Sequence, residues 1–231
     1  MSGTVIVLRP QPGAKATAAR ARALGLEPIV APLFRIEPLP WRPPSPDVYD
    51  AVIVTSANAP RCWGDAMASF LRLPCYAVGE TSAAAARAAG IADVRAGPSN
   101  GAALVAMMAR EGVTRAFHPC GEDRTELPPT PVRIDPTAVY AARAAGPLSP
   151  EVETAMDGGA LALLHSPRAA ARFAELAGSR RGKVALAAIS AAAARAAGDG
   201  WRSIDVASRP RDEALLELAA KLCQTGADDR R

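Results

Sequence analysis

Small polar residues and arginines occur where short apolar segments of the sequence end. The residues of this kind that we consider as ligands for a bound molecule are Arg9, Thr55, Ser56, Asn58, Gly79, Ser82, Ser166, Arg168 and Ser190. If the apolar segments are parallel strands, these residues lie beyond the carboxyl ends of the strands, where open α/β sheets bind ligands. The N–H groups and the positive dipole end of a following helix favour an anion there. Any one hydroxyl could act only as a helix cap, but as a set the residues predict a cleft for an anionic small molecule.

A further residue able to do chemistry is Tyr140, within the extended stretch Arg133–Arg143. We expect this stretch to connect two lobes of the protein, so that its tyrosine projects at the hinge. The alternative is a half-buried aromatic side chain whose hydroxyl contacts water, and the residue pattern does not decide between the two. The histidines of the sequence, His118 and His165, fall in different predicted lobes, which leaves little material for a Ser–His–Asp triad.

Several common kinds of site are missing from the sequence. It has no GxxxxGK[ST] loop and no GxGxxG turn, which argues against nucleotide binding. No HExxH motif or acidic cluster indicates a metal, and the four cysteines are scattered without a CxxC pair. Basic residues do not interleave with aromatic ones, so nucleic-acid binding is unsupported. We therefore predict no metal and no cofactor, and a small-molecule substrate as the partner.

The composition predicts a globular protein of the cytoplasm. A hydrophobic fraction of 49% in 231 residues is ample for a core, and the net charge of +4 is mild. The sequence enters an apolar strand at once, without the basic region and cleavage site of a secretory signal. No segment reaches the roughly 18–20 apolar residues that a membrane span needs. Helices on both faces of each sheet leave no obvious apolar face for a second copy, so we expect a monomer without membrane contact.

Apolar segments alternate with alanine-rich helical segments along the chain, which is typical of parallel sheets covered by helices. The nine residues Ser82–Gly90 recur letter for letter as Ser190–Gly198. Matching residues flank the two copies at nearly constant offsets, for example Ser56 before the first and Ser166 before the second. The predicted fold class is therefore α/β, with two similar lobes that each contain a parallel sheet flanked by helices.

The lobes need not be consecutive halves of the chain. The stretches Leu26–Leu39 and Arg133–Arg143 are extended and contain prolines, and they flank the first copy of the repeat. We therefore expect one lobe to be inserted in the other. The predicted bounds are 1–38 plus 144–231 for the outer lobe, 46–133 for the inserted lobe, and 39–45 and 134–143 for the crossings.

In order and spacing, these segments resemble the uroporphyrinogen-III synthase family over nearly the whole chain. The segments that carry the resemblance are Val7–Pro10, Ala31–Pro38, Tyr49–Ala59, Tyr76–Glu80, Gly121–Glu122, Val139–Tyr140, His165–Arg168 and Ala187–Ser190. The sequence departs from the family pattern after Ser190, where alanines replace the usual threonine, and in Leu127–Pro131, where a helix is usual.

The resemblance implies two α/β lobes joined by a two-stranded crossing, and an enzyme that needs no cofactor or metal. The family cyclises hydroxymethylbilane, a linear tetrapyrrole with carboxylates on every ring, to uroporphyrinogen III with loss of water and inversion of ring D. By this resemblance Tyr140 matches a cleft tyrosine that is a candidate general acid. Thr55, Ser56 and Ser166 match strand-end hydroxyls that contact the substrate, and Ser82 stands where the family often has threonine.

Three alternatives stay open at the level of sequence. The first is a two-lobed binding protein that closes on a small anion without chemistry, and the second is a regulatory protein of the same fold that has lost catalysis. A Rossmann-type nucleotide enzyme is the third, and the missing glycine-rich motifs argue against it.

Overall fold

A computed structural model describes residues 3–98 and 100–228 of the chain. Contacts within it divide the chain into two compact units. The first unit contains the described residues up to Arg35 and those from Ala144 onward, and the second unit contains Ile36–Arg143. The second unit is therefore an insertion in the sequence of the first.

The first unit is built on a parallel five-stranded sheet with the strand order β11-β10-β9-β1-β2. Its strands are β1 (Thr4–Val7), β2 (Glu27–Val30), β9 (Leu161–Leu164), β10 (Ala185–Ala188) and β11 (Ser203–Val206). Its helices are α1 (Gly13–Ala23), α5 (Pro150–Asp157), α6 (Pro167–Ala177), α7 (Ala191–Ala197) and α8 (Asp212–Asp228). The three central strands are apolar and buried along nearly their whole length, as expected for a parallel sheet covered on both faces.

The second unit contains a six-stranded sheet with the order β3-β8-β7-β4-β5-β6. Its strands are β3 (Phe34–Pro38), β4 (Ala51–Val54), β5 (Cys75–Val78), β6 (Val94–Gly97), β7 (Arg115–Gly121) and β8 (Arg133–Ala144). Its helices are α2 (Asn58–Cys62), α3 (Gly79–Ala88) and α4 (Gly101–Arg110). The five neighbouring strands β6, β5, β4, β7 and β8 are all parallel to one another. On one face of this sheet the rings of Tyr49, Phe70 and Phe117 pack together, with centroids 4.5–6.0 Å apart.

The two sheets repeat one arrangement of strands. The order β11-β10-β9-β1-β2 in the first unit corresponds to β6-β5-β4-β7-β8 in the second. The strands β4 and β9, which precede the two copies of the repeated sequence, occupy the same place in this order. The predicted fold class is therefore confirmed: two similar α/β units with parallel strands, one inserted in the other, with neighbouring strands β3 and β8 as the connecting segments. The predicted lobe bounds 1–38 plus 144–231 and 46–133, with crossings 39–45 and 134–143, stay a prediction.

Candidate functional site

The second unit contains a cavity of about 450 Å³ beyond the carboxyl ends of its strands. Thr55 and Ser56 enter it from the end of β4, and Tyr140 enters from β8. The rest of its wall comes from the end of β5, the start of α4 and the segment after β7: Val78, Asn100, Gly101, Ala102, Gly121, Asp123, Arg124, Thr125, Glu126, Leu127 and Pro128. Its volume falls in the ~300–1,000 Å³ range of small-molecule sites. The cavity thus lies at the carboxyl edge of the sheet, where open α/β sheets bind ligands, and hydroxyl groups line one side of it.

Tyr140 is buried, with 8% of its surface exposed. Burial raises the pKa of its phenol above the ordinary value, and hydrogen bonds from the side chains of Ser56 and Asn58 act in the opposite direction. The phenol is therefore protonated at neutral pH, while two donors are in place to stabilise the phenolate. The sequence left two interpretations open, a tyrosine that projects at the hinge between the lobes and a half-buried aromatic whose hydroxyl contacts water. In the structure the ring packs in the core of the second unit and the residue borders the cavity.

The Ser56 side chain is oriented by the start of α2. Its Oγ accepts a hydrogen bond from the backbone N–H of Asn58 at 3.2 Å. A serine oxygen that accepts one bond keeps its O–H for another acceptor, so the Ser56 proton is free to point at the Tyr140 oxygen. Asn58 is the first residue of α2 and contributes to the same group through its side chain, although it is not part of the cavity wall.

Thr55 is held by a histidine. Its Oγ1 lies 3.0 Å from Nε2 of His118, whose side chain is nearly fully buried on β7. Burial, helped by the charge of Arg124, lowers the pKa of His118 to about 4. The imidazole is thus neutral at pH 7 and serves as a fixed hydrogen-bond partner of Thr55.

Arg124 is a cavity residue that the sequence analysis did not single out. It is exposed in the segment after β7, and its charge opposes the burial-induced rise in the pKa of Cys120. Because the same charge lowers the pKa of His118, the guanidinium must lie close to the strand end. In the sequence Arg124 follows two acidic residues, Glu122 and Asp123, which could neutralise its charge, so it is not among the predicted ligands. In the structure, the Glu122 carboxylate pairs with Arg143 at an N–O distance of 2.5 Å, and not with Arg124.

Two other predicted residues of the second unit lie beside the cavity rather than in its wall. Gly79 starts α3 with a left-handed backbone (φ 66°), a conformation that glycine adopts without strain. Ser82 is the fourth residue of α3 and is buried, with 6% of its surface exposed. Neither residue contributes to the cavity wall.

In the first unit, the two predicted serines cap helices. Ser166 precedes α6 and its Oγ accepts from the N–H of Ala169 at 3.2 Å. Ser190 precedes α7 and accepts from the N–H of Ala193 at 3.3 Å. Arg168, in the first turn of α6, places its guanidinium carbon 4.4 Å from the centroid of the Phe34 ring. The capping role considered for each serine is therefore present, and it leaves each hydroxyl proton available.

Arg9 contacts a carboxylate at the end of β1. Its Nη1 lies 3.3 Å from Oδ1 of Asp212, the first residue of α8, and the same oxygen accepts a bond from Thr17 at 2.8 Å. His165, at the end of β9, places Nε2 2.7 Å from this oxygen. Burial would raise the pKa of Asp212, but the hydrogen bonds from His165 and Thr17 outweigh it and lower that pKa. The group formed by Arg9, Thr17, His165 and Asp212, called here the Asp212 cluster, joins β1, α1, β9 and α8.

Two classes of feature are absent from the described residues. Within 3–98 and 100–228, no group of three or more His, Cys, Asp and Glu side chains is arranged to hold a metal ion. In the same part of the chain, no helix combines the length and apolar character needed to cross a membrane.

Comparison with known proteins identifies one family. The family model described as uroporphyrinogen-III synthase HemD matches residues 15–217. A uroporphyrinogen-III synthetase from Helicobacter pylori has a similar fold, with a TM-score of 0.68, 17% identity, and coverage of 96% of this chain and 100% of that chain. A mutant uroporphyrinogen III synthase from Thermus thermophilus matches with a TM-score of 0.49, 16% identity, and coverage of 96% and 98%. Comparison with curated protein sequences gives no match. Because the family model spans most of its length, the chain belongs to the uroporphyrinogen-III synthase family.

Proposed function

We propose that the cavity of the second unit binds part of hydroxymethylbilane and that Tyr140 supplies the proton with which the hydroxyl group of the substrate leaves as water. The chain is a lyase of tetrapyrrole biosynthesis that cyclises hydroxymethylbilane to uroporphyrinogen III. The observation that carries the proposed site is the placement of Tyr140: a protonated, buried phenol at a cavity, beside two donors that stabilise its conjugate base.

The first chemical step needs an acid. When the C–O bond of the hydroxymethyl group breaks, the Tyr140 proton passes to the leaving oxygen, which departs as water. The pyrrole that loses it becomes a cationic azafulvene, and Tyr140 becomes a phenolate. Ser56 and Asn58 donate hydrogen bonds to that phenolate, and its negative charge lies near the new cation. Proton transfer by a positioned side chain contributes typically ~10²–10⁴-fold in rate.

The second task is to hold the substrate folded. The terminal ring must attack through its substituted carbon, and fragmentation and recombination of the spiro intermediate invert ring D. Unassisted, hydroxymethylbilane closes without this inversion, so the enzyme must fix a conformation that water does not favour. Positioning of this kind can lower a barrier by ~7–11 kcal/mol when the reacting atoms are close to the geometry of attack.

The protein can position the substrate by binding its carboxylates. We assign Thr55 and Arg124 to this task in the cavity, since a hydroxyl and a guanidinium are good carboxylate donors. Ser56, also predicted as a substrate ligand, gives its one hydroxyl proton to Tyr140 and lines the cavity beside it. Asn58, Gly79 and Ser82 in the second unit and Arg9, Ser166, Arg168 and Ser190 in the first stay predicted substrate ligands. The capping bonds of Ser166 and Ser190 support that prediction, because they fix each oxygen and leave its proton to donate.

Three further properties are part of the proposal. We expect the chain to act as a monomer, in the cytoplasm, and without a nucleic-acid partner. The mild net charge of +4 supports the last point. So does the use of many arginines in ion pairs with neighbouring acids, such as Arg72 with Asp47 and Arg115 with Asp135. We also expect the reaction to proceed without a metal or cofactor, because it needs only a proton donor and groups that position the substrate.

The test is an isomer assay with a matched pair of tyrosine variants. Purified protein is incubated with fresh hydroxymethylbilane, the products are oxidised, and the type I and type III uroporphyrins are separated. Wild type should give type III in proportion to enzyme. Tyr140→Phe should lower kcat by about 10²-fold, the lower end of general acid catalysis. Tyr76→Phe is the control, since the Tyr76 hydroxyl donates to Glu111 at 2.7 Å, outside the cavity wall.

Each outcome is informative. Type I product alone from the wild-type protein would contradict the activity and favour a binding or regulatory protein. Type III product with equal kcat in Tyr140→Phe and wild type would keep the activity and remove Tyr140 from proton transfer. Equal losses in both tyrosine variants would point to a general effect of losing a buried hydroxyl.

A further inference from the structure

The two strands that meet beside Tyr140 are irregular at one point. Pairing between β7 and β8 is regular from Arg115 opposite Arg133 to Cys120 opposite Ala138. The next residue of β7, Gly121, is opposite Tyr140, so that Val139 is an extra residue in β8. The backbone N–H of Glu122 donates to the carbonyl of Tyr140 at 2.8 Å and fixes the shifted register. A β-bulge thus lies directly before the proposed acid.

The bulge decides where the Tyr140 side chain points. Consecutive residues of a regular strand face opposite sides of the sheet. Val139 and Tyr140 instead belong to the same buried cluster, on one side of it. In the regular register, Val139 would be opposite Gly121, and the following residue would face the other side. The extra residue therefore turns the phenol to the face on which α2 packs, where Ser56 and Asn58 are its donors.

Gly121, opposite Tyr140, leaves room for the phenol end. A Cβ atom at position 121 would lie 2.9 Å from Cζ of Tyr140, closer than real Cβ contacts come, 3.0 Å from its hydroxyl oxygen, and 3.1 Å from the backbone oxygen of Asp123. Gly121 is not among the glycines with a left-handed backbone, so its conformation would accept alanine. Glycine is required here for the space that it leaves, not for its backbone freedom.

We infer that Gly121 is a positioning residue for the proposed acid: with the bulge at Val139, it sets the distance of the Tyr140 hydroxyl from Ser56 and Asn58. This inference rests on the proposed role of Tyr140. A methyl group at position 121 has to displace the phenol by a few tenths of an ångström or shift the strand. Displacing the phenol changes the place of the acidic proton relative to the leaving oxygen, and the closest contacts of the methyl group are with the phenol, ahead of the Asp123 backbone.

The experiment is a double-mutant cycle with a glycine control. Gly121→Ala, Tyr140→Phe and the double variant are compared in kcat, KM and isomer ratio. A misplacement of about 1 Å costs about 10²-fold in rate, so the smaller shift here should lower kcat about 10-fold, with KM unchanged. Gly146→Ala is the control, since it also lacks a left-handed backbone and has no atom within 4 Å of the added Cβ.

The cycle separates positioning from general damage. If Gly121 acts through the phenol, Gly121→Ala has no further effect in the Tyr140→Phe background. The same loss in both backgrounds, or wild-type kcat in Gly121→Ala, overturns the inference. A Tyr140→Phe variant as active as wild type overturns the proposed acid instead, so the two failures are distinguishable.

A second measurement tests the inference even if Gly121→Ala folds too poorly for kinetic work. In a protein with Tyr49→Phe and Tyr76→Phe, the ultraviolet titration of the remaining tyrosine reports on Tyr140. Gly121→Ala should raise the apparent pKa of this phenol, because the phenolate moves away from the donors Ser56 and Asn58. Identical titrations in the folded fractions of both proteins would overturn the inference.

Discussion

The hydroxyl oxygen of Thr55 lies 3.0 Å from Nε2 of His118, and this contact joins a residue of the cavity wall to a buried imidazole on the neighbouring strand. His118 is almost fully buried, and its pKa is lowered to about 4. The contact is therefore made by a neutral ring throughout the range in which most enzymes act. Protonation of that ring has to occur at the expense of folding.

The first prediction concerns stability between pH 6.5 and 4. In this range the unfolded chain binds a proton at His118 and the folded chain does not, so stability falls as the pH falls. A shift of this size corresponds to about 3 kcal/mol over the whole window. His118→Gln should remove that part of the pH dependence, measured by urea unfolding at several pH values. The same substitution at His165 leaves the contribution of His118 in place, and an unchanged slope in His118→Gln would contradict the prediction.

The second prediction concerns Arg124. If its guanidinium binds a substrate carboxylate, Arg124→Gln should raise KM for hydroxymethylbilane about 10-fold, the loss expected for one hydrogen bond to a charged group. The control is Arg110→Gln, which makes the same charge change at the far end of α4, about 15 Å along the helix from the cavity. Equal effects of the two substitutions would show that general attraction of an anion, and not binding in the cavity, explains the change.

The third prediction concerns the Asp212 cluster. The Asp212 side chain is 10% exposed and contacts Arg9, Thr17 and His165. Asp212→Ala removes the acceptor of Thr17 and His165 and a partner of Arg9 and Arg20, and leaving buried polar groups without a hydrogen bond costs about 1–3 kcal/mol. The neighbouring Glu213 is 65% exposed and paired with Arg20, so Glu213→Ala should cost less than about 1 kcal/mol. Urea unfolding of both variants checks the difference, and similar costs would contradict a structural role for the cluster.

Much of the fold follows from the sequence because the central strands are continuous apolar segments. The apolar segments Cys75–Val78 and Ser203–Val206 each predict a strand, and both strands have these bounds in the structure. The segment Arg115–His118 predicts a strand that ends at His118, but β7 continues to Gly121 because it pairs with β8 along its length. Helix α5 is not in one of the alanine-rich segments that predict helices, although Ser149 and Pro150 are a standard helix start. Pairing between distant segments is not visible in local composition.

The candidate site was predictable to the extent that it lies at strand ends. Thr55, Ser56 and Tyr140 border one cavity because parallel strands bring their carboxyl ends to one edge. Arg124 was not predictable in this way, since it lies in a segment without regular structure whose course depends on the whole lobe. The role inferred for Gly121 was equally hidden, because a one-residue bulge leaves no mark in the pattern of residue types.

The repeated sequence gives the fourth prediction, since nine identical residues adopt two local structures. Ser190 precedes α7 and caps it, whereas Ser82 lies inside α3, which already begins at Gly79. The difference comes from the residues before the repeat: Gly79 starts a helix three residues before Ser82, whereas Ala187, three residues before Ser190, is still in β10. Ser190→Ala should therefore cost about 1 kcal/mol of stability, the usual loss of a helix cap. Ser82→Ala should be neutral or stabilising by up to about 0.5 kcal/mol, because alanine is the better residue in a helix interior. Urea unfolding of both variants measures the two free energies, and in both cases the eight residues that follow the serine are the same. Equal costs would show that the shared nine residues, and not the start of each helix, decide what the serine contributes.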